Sequence, residues 1–173
     1  MTAFYRTIAP EDIPPEGLFL ELEADAGTLT TLCRRFDLRA LTRLVARLQV
    51  QRSGKGIRID GDFTADVVRI CVVTLQDFET VIAESIHILY LPDPDDADAE
   101  GVVIDPDSEE DTEPLPEAGV DPGEAVAQSL SLALDPFPHA PDAGMVDADA
   151  LSAGREDVET SPFAILEKLR NKT

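Results

Sequence analysis

The sequence predicts an α+β protein: an antiparallel β-meander body with one packed N-terminal helix, a disordered acidic insertion and two short C-terminal helices. Three observations lead there. Residues from about Leu44 to Tyr90 form three consecutive stretches rich in Val, Ile and Thr with period-two alternation. Apolar residues at helical spacing follow Asp25. The acidic excess, 35 Asp plus Glu against 14 Lys plus Arg, is gathered in the second half of the chain.

Along the chain, Phe4–Ile8 is a short strand candidate, and Pro10, Pro14 and Pro15 force an irregular connection after it. Leu18–Glu23 alternates Leu18, Leu20 and Leu22 with Phe19, Glu21 and Glu23, the pattern of a half-buried strand. Asp25 caps a helix running to Phe36, with Leu29, Leu32, Cys33 and Phe36 on its apolar stripe. Ala40–Arg52 fits either period: Leu41, Leu44, Val45 and Leu48 suit a helix, while Leu44, Ala46, Leu48 and Val50 suit a strand. The hairpin turn Ser53-Gly54-Lys55-Gly56 favours the strand for the second half, and Ile57–Asp60 resumes the alternation. Phe63–Thr74 and Thr80–Tyr90 read as two further strands, joined through Leu75-Gln76-Asp77-Phe78. Asp121-Pro122-Gly123-Glu124 starts a helix over 121–135 with a capping box, and Ser161-Pro162 starts another over 161–170.

Charge divides the chain into a body, 1–91, an acidic Pro-rich insertion, 92–117, and a C-terminal helical segment, 118–173, expected to dock on the body. The body holds 10 basic and 13 acidic residues, whereas 92–173 holds 4 and 22. Twelve acidic residues and no basic one lie between Pro92 and Glu117, in a stretch broken by Pro94, Pro106, Pro114 and Pro116, so repulsion and blocked hydrogen bonding predict an extended insertion. A net charge of −21 disfavours phosphate binding over the whole surface and favours basic partners. No apolar run approaches 18 residues, so no membrane-spanning helix is expected. Met1–Pro10 lacks the basic and apolar regions of a secretory signal, and with two cysteines, Cys33 and Cys71, the expectation is free thiols in the cytoplasm.

Sites of chemistry are few. Cys33, Cys71, His87 and His139 are too scattered for a zinc site, no cofactor is expected, and Cys33 sits on an apolar helix stripe. His87, between Ile86 and Ile88, reads as a solvated strand histidine. No nucleophile elbow or phosphate loop is present, so no enzyme is expected; Gly54-Lys55-Gly56 lacks the full phosphate-loop pattern. Asp96, Asp98, Glu100, Gly101, Val103 and Asp107 follow the spacing of a calcium loop, but the last position lacks Glu and Pro92, Pro94 and Pro106 forbid flanking helices. Nine of the body's bases lie between residues 34 and 69, and Arg39, Arg43, Arg47 and Arg58 are the candidates for a basic stripe touching RNA. The bland counterpart is a solvated sheet face whose arginines pair with carboxylates. The acidic insertion could also lie over that stripe and compete with RNA.

The stretches GDFTADVVRICVVTLQDFETVI, EPLPEAGVDPGEAVAQSLSLALDPFPHAP and SPFAILEKL, in this order, resemble the YceD family, the large ribosomal RNA subunit accumulation proteins of bacteria and plant plastids, in its alphaproteobacterial branch. The resemblance covers about 4–91 and 113–170 and rests on Cys71, Thr74, Leu75, Phe78, Asp135 and Pro136. Many relatives carry C-x-x-C where this chain has Cys71-Val72-Val73-Thr74, and Arg or Lys where it has His139. The resemblance implies a role in synthesis, processing or stability of 23S ribosomal RNA, without established catalysis. The expected partner is a basic ribosomal protein or an RNA-processing enzyme, with rRNA contact through the arginines as a variant. Phe163, Ile165, Leu166 and Leu169 form a second docking candidate on the last helix. The alternative is a small metal-binding or redox module centred on the Cys71 turn. Oligomeric state is not legible.

Overall fold

The computed structural model describes residues 3–92 and 111–143. It is an α+β fold in which two helices cover one face of a five-stranded sheet. A single 3-10 turn, Pro10–Asp12, precedes β1 (Leu18–Glu23), α1 (Ala26–Arg35), β2 (Ala40–Ser53), β3 (Gly56–Ile70), β4 (Asp77–Leu91), β5 (Asp111–Pro114) and α2 (Pro122–Ala133). Strand order follows sequence order: β1 to β4 form an antiparallel meander, and β5 lies parallel beside the end of β4.

The turn chemistry fixes this arrangement locally. Gly54 adopts φ +58°, as the first central residue of a type II′ hairpin turn requires, and Ser53 pairs with Gly56 across it. Asp25 accepts the Thr28 N–H at 2.7 Å, and its carboxyl is held below the usual range chiefly by that bond. The other end of α1 closes in a Schellman arrangement: Leu38 N–H donates to the Cys33 carbonyl, Asp37 N–H to that of Arg34, and Asp37 takes φ +51°. In α2, Asp121 accepts N–H bonds from Gly123 and Glu124, and Pro122 occupies the first turn, where its missing N–H costs nothing.

Period-two alternation puts Leu22, Leu44, Ala46, Leu48, Val50, Ile57, Ile59, Phe63, Ala65, Val67, Ile86 and Ile88 on one buried face. Leu32 of α1 and Val126 and Leu130 of α2 close that face, and Ile8, Ile13 and Val120 fill its margin. Gly61, within the 15-residue β3, lies opposite Leu48, and a methyl group there would strike the β2 backbone at Arg47 and Leu48. A bidentate ion pair joins the helices: Arg35 Nη1 and Nη2 donate to Glu124 at 2.8 and 2.6 Å, which lowers the Glu124 carboxyl and raises the guanidinium.

Four details depart from the sequence reading. Ala40–Ser53 is strand throughout; a bulge between Leu41 and Arg43 shifts the register so that Leu41 and Leu44, three residues apart, are both buried, which imitated a helix. Ile57–Asp60 and Phe63–Ile70 belong to one strand, since Gly61 continues β3, and the connection to β4 is Cys71–Gln76, with Asp77 and Phe78 already in β4. Of Phe4–Ile8, the pairing made is an isolated bridge from Ile8 to Val120. Asp111–Pro114, assigned by composition to the extended insertion, forms the parallel strand β5, an edge position where the terminal Pro114 is tolerated. Residues 93–110, with the calcium-like spacing, and the helix over 161–170, with Phe163, Ile165, Leu166 and Leu169, lie outside the described residues.

Two leucines on α2 test this packing. Leu130 is fully buried and Leu132 is 84% exposed. Leu130→Ala is expected to lower the unfolding free energy by about 2–5 kcal/mol in urea titrations. Leu132→Ala should change it by less than about 0.5 kcal/mol.

Candidate functional site

The four candidate arginines do not form a continuous basic stripe. Arg39, ahead of β2, bonds Asp77 at the start of β4 at 3.0 Å. Arg43 lies opposite Asp66. Arg47 lies in one cross-strand row between Glu21 and Asp62, with Glu21 at 3.6 Å. Arg58 shares the same outer face, between Gln51 and Leu89. Arg43 and Arg47 interleave with Glu21, Glu23, Asp60 and Asp62 around an open concavity of about 1100 Å³ over β1 to β3, on the face turned away from the helices. The Arg47–Glu21 pair is largely solvated and contributes little stability. Its effect is on the field: the positive charge of Arg47 has carboxylates within one strand spacing on either side. His87 pairs across strands with Asp60, Nδ1 to Oδ1 at 3.0 Å, on this face.

The residues behind the family resemblance do converge, at the opposite end of β3. Cys71, Thr74 and Leu75 form the β3–β4 connection, and Phe78 opens β4 opposite Arg69. The turn is closed by Leu75 N–H to the Cys71 carbonyl and Cys71 N–H to the Gln76 carbonyl, both at 2.9 Å. The stretch after α2 crosses to it: Val72 N–H donates to the Pro138 carbonyl at 2.9 Å. Asp135 Oδ1 accepts the Phe137 N–H at 2.8 Å, which bends this strap as the chain leaves the helix. Segments more than sixty residues apart in sequence thus share one site.

At its centre is the Cys71 sulfur, fully buried and ringed by donors. The Ala140 N–H contributes most, followed by the Thr74 hydroxyl and N–H, with the Val73 N–H adding to them; together they bring the thiol down to about 6. Thr74 contributes twice, its N–H lying 3.5 Å from the Cys71 sulfur and its hydroxyl adding a second donor. One thiol surrounded by N–H and O–H donors does not match the tetrahedral N and S ligand set of zinc. Among the described residues no group of three or more His, Cys, Asp or Glu is placed to hold a metal ion. Cys33 is separate, donating its S–H to the Leu38 carbonyl.

Sequence reasoning singled out Cys71, Thr74, Asp135 and Pro136 without showing that their two segments meet, and it missed Phe137 together with Pro138 and Ala140, whose backbone makes the contact. The available signal was the exposed-type Phe137 between two prolines. Because the folded thiol ionises below its unfolded value of 9.0, the stabilisation it gives is complete above about pH 9 and lost as pH falls through about 6. The stability difference between the native chain and Cys71→Ala, read from urea unfolding, is expected to grow from pH 5.5 to pH 9. A difference that is flat over this range would remove the thiolate from the account.

Among the described residues, no helix is long and apolar enough to cross a membrane. No curated protein and no solved structure matches the chain. A family described as large ribosomal RNA subunit accumulation protein YceD matches residues 59–170, which takes in β3, the Cys71 turn, β4, β5, α2 and the strap. That match extends over more than half of the 173 residues, and the chain belongs to the YceD family, whose name ties it to ribosome biogenesis and the accumulation of large-subunit ribosomal RNA.

Proposed function

We propose that the chain is a non-enzymatic assembly factor that supports 23S rRNA synthesis, processing or stability by binding a basic protein partner, a ribosomal protein or an RNA-processing enzyme, in the cytoplasm. One observation carries the choice of protein over RNA: Arg39, Arg43 and Arg47 each bond or face a carboxylate of a neighbouring strand. A surface of that kind has few free cations with which to displace counterions from a phosphate backbone. The net charge of −21 supplies long-range attraction for a basic protein instead. The rival reading, a metal or redox module at Cys71, needs a further soft ligand or a resolving thiol, and the groups ringing this sulfur are hydrogen-bond donors.

The test is binding to purified large-subunit precursors at low and moderate salt, with and without RNase. Basic ribosomal proteins are expected to remain bound after RNase digestion, and Arg43→Glu with Arg47→Glu should change retention by less than about twofold. Retention that requires intact RNA and collapses in the double variant would establish direct rRNA binding and sink the protein-partner reading.

A further inference from the structure

The turn and the strap that meet over Cys71 carry a group of bare apolar side chains. Ile70, Val72 and Val73 are each about half exposed, Leu75 is 76% exposed and Phe137 is 68% exposed. Together they expose on the order of 500 Å², the size of the largest apolar patch on a typical monomer, which is often functional. The bond from Val72 to Pro138 and the donors around the Cys71 sulfur hold the two segments together, so the group is presented on a fixed backbone. Leu75 adds a second observation. It adopts φ +57°, a left-handed conformation that disfavours a branched apolar side chain and suits Gly or Asn. Backbone requirements therefore do not explain a leucine at this position, and burial does not either.

From this we infer that the apolar group on the Cys71 turn and the Phe137 strap is the docking surface for the partner, and that its occupant is a basic protein with an apolar pocket receiving Leu75 and Phe137. The inference rests on the protein-partner reading above and locates it. Charge selects the occupant. A second copy of this chain, also at −21, is repelled at long range, whereas a basic protein is attracted. RNA is disfavoured because the charged groups beside the patch are Asp77, held by Arg39, together with Asp135 and Arg69, a set without net positive charge. Apolar anchors seated in a pocket inside a polar rim are the usual source of binding energy in such contacts.

The experiment uses the full chain and, as probe, the proteins stripped by salt from purified large ribosomal subunits. Leu75→Ser with Phe137→Ser is expected to weaken binding at least tenfold, while Phe19→Ser, at an equally exposed position on the sheet's outer face, leaves it unchanged. An unchanged thermal midpoint controls for folding, and photocrosslinkers at positions 75 and 137 should both capture the same basic protein, with none captured from position 19. Wild-type affinity in the double serine variant would overturn the surface while leaving the partner reading intact. Failure of the native chain to bind any stripped protein would overturn both. Crosslinks from 75 and 137 to a second copy of the chain or to rRNA would overturn the assigned occupant.

Discussion

The register between β2 and β3 decides what every other part of the molecule can do. The two-residue turn at Gly54 and Lys55 sets Leu48 opposite Gly61 and Val50 opposite Ile59, and β1 and β4 inherit their alignment from these two strands. A slip of one residue would carry the buried row from Leu44 to Val50 into water and turn Arg43 and Arg47 inward. The helices add coverage to a face already chosen: Leu32 from one side, Val126 and Leu130 from the other. Gly61 belongs to the same constraint, because it lets β3 continue past β2 at a spacing that a side chain would prevent.

The same register determines the electrostatics. Glu21, Arg47 and Asp62 fall in one row because β1, β2 and β3 are aligned as they are, and the neutralisation of the arginines is a consequence of pairing that composition does not reveal. Sequence position alone makes nine bases between residues 34 and 69 look like a patch. Cross-strand pairing instead sets carboxylates opposite Arg43 and Arg47 and scatters the other bases over helix, turn and strand ends. The molecule's acidity and its apolar tip thereby become its distinguishing surfaces.

Much of the fold is legible in the sequence because it is written in local signals. Asp25 and Asp121 mark helix starts, Gly54 marks a hairpin, and the alternation from Leu44 to Tyr90 marks strands. The misreadings arise where a local signal is ambiguous by nature. The bulge at Leu41 and Arg43 converts a period of two into an apparent helical spacing, and β5 takes its strand character from a neighbour, since in Asp111–Pro114 only Thr112 favours a strand on its own. Of the candidate site, the individual positions Cys71, Leu75 and Asp135 were legible through the family pattern. Their convergence was not, because the bonds that make it, from Val72 to Pro138 and from Ala140 to the sulfur, are backbone contacts that leave no trace in residue type.

The bridge between Ile8 and Val120, seconded by the Arg35–Glu124 pair, gives the molecule a schedule. The first residues of the core wait for partners more than a hundred positions later, and the inner face of the sheet, covered by α1 at Leu32, is not closed until Leu130 has been made. During synthesis at about 5–20 residues per second, several seconds separate the emergence of β1 from that of α2. Over that interval the half-finished sheet offers apolar surface and unpaired strand edges next to the ribosome that is producing it. The contacts that join the two ends of the folded unit therefore form only after α2 has been made.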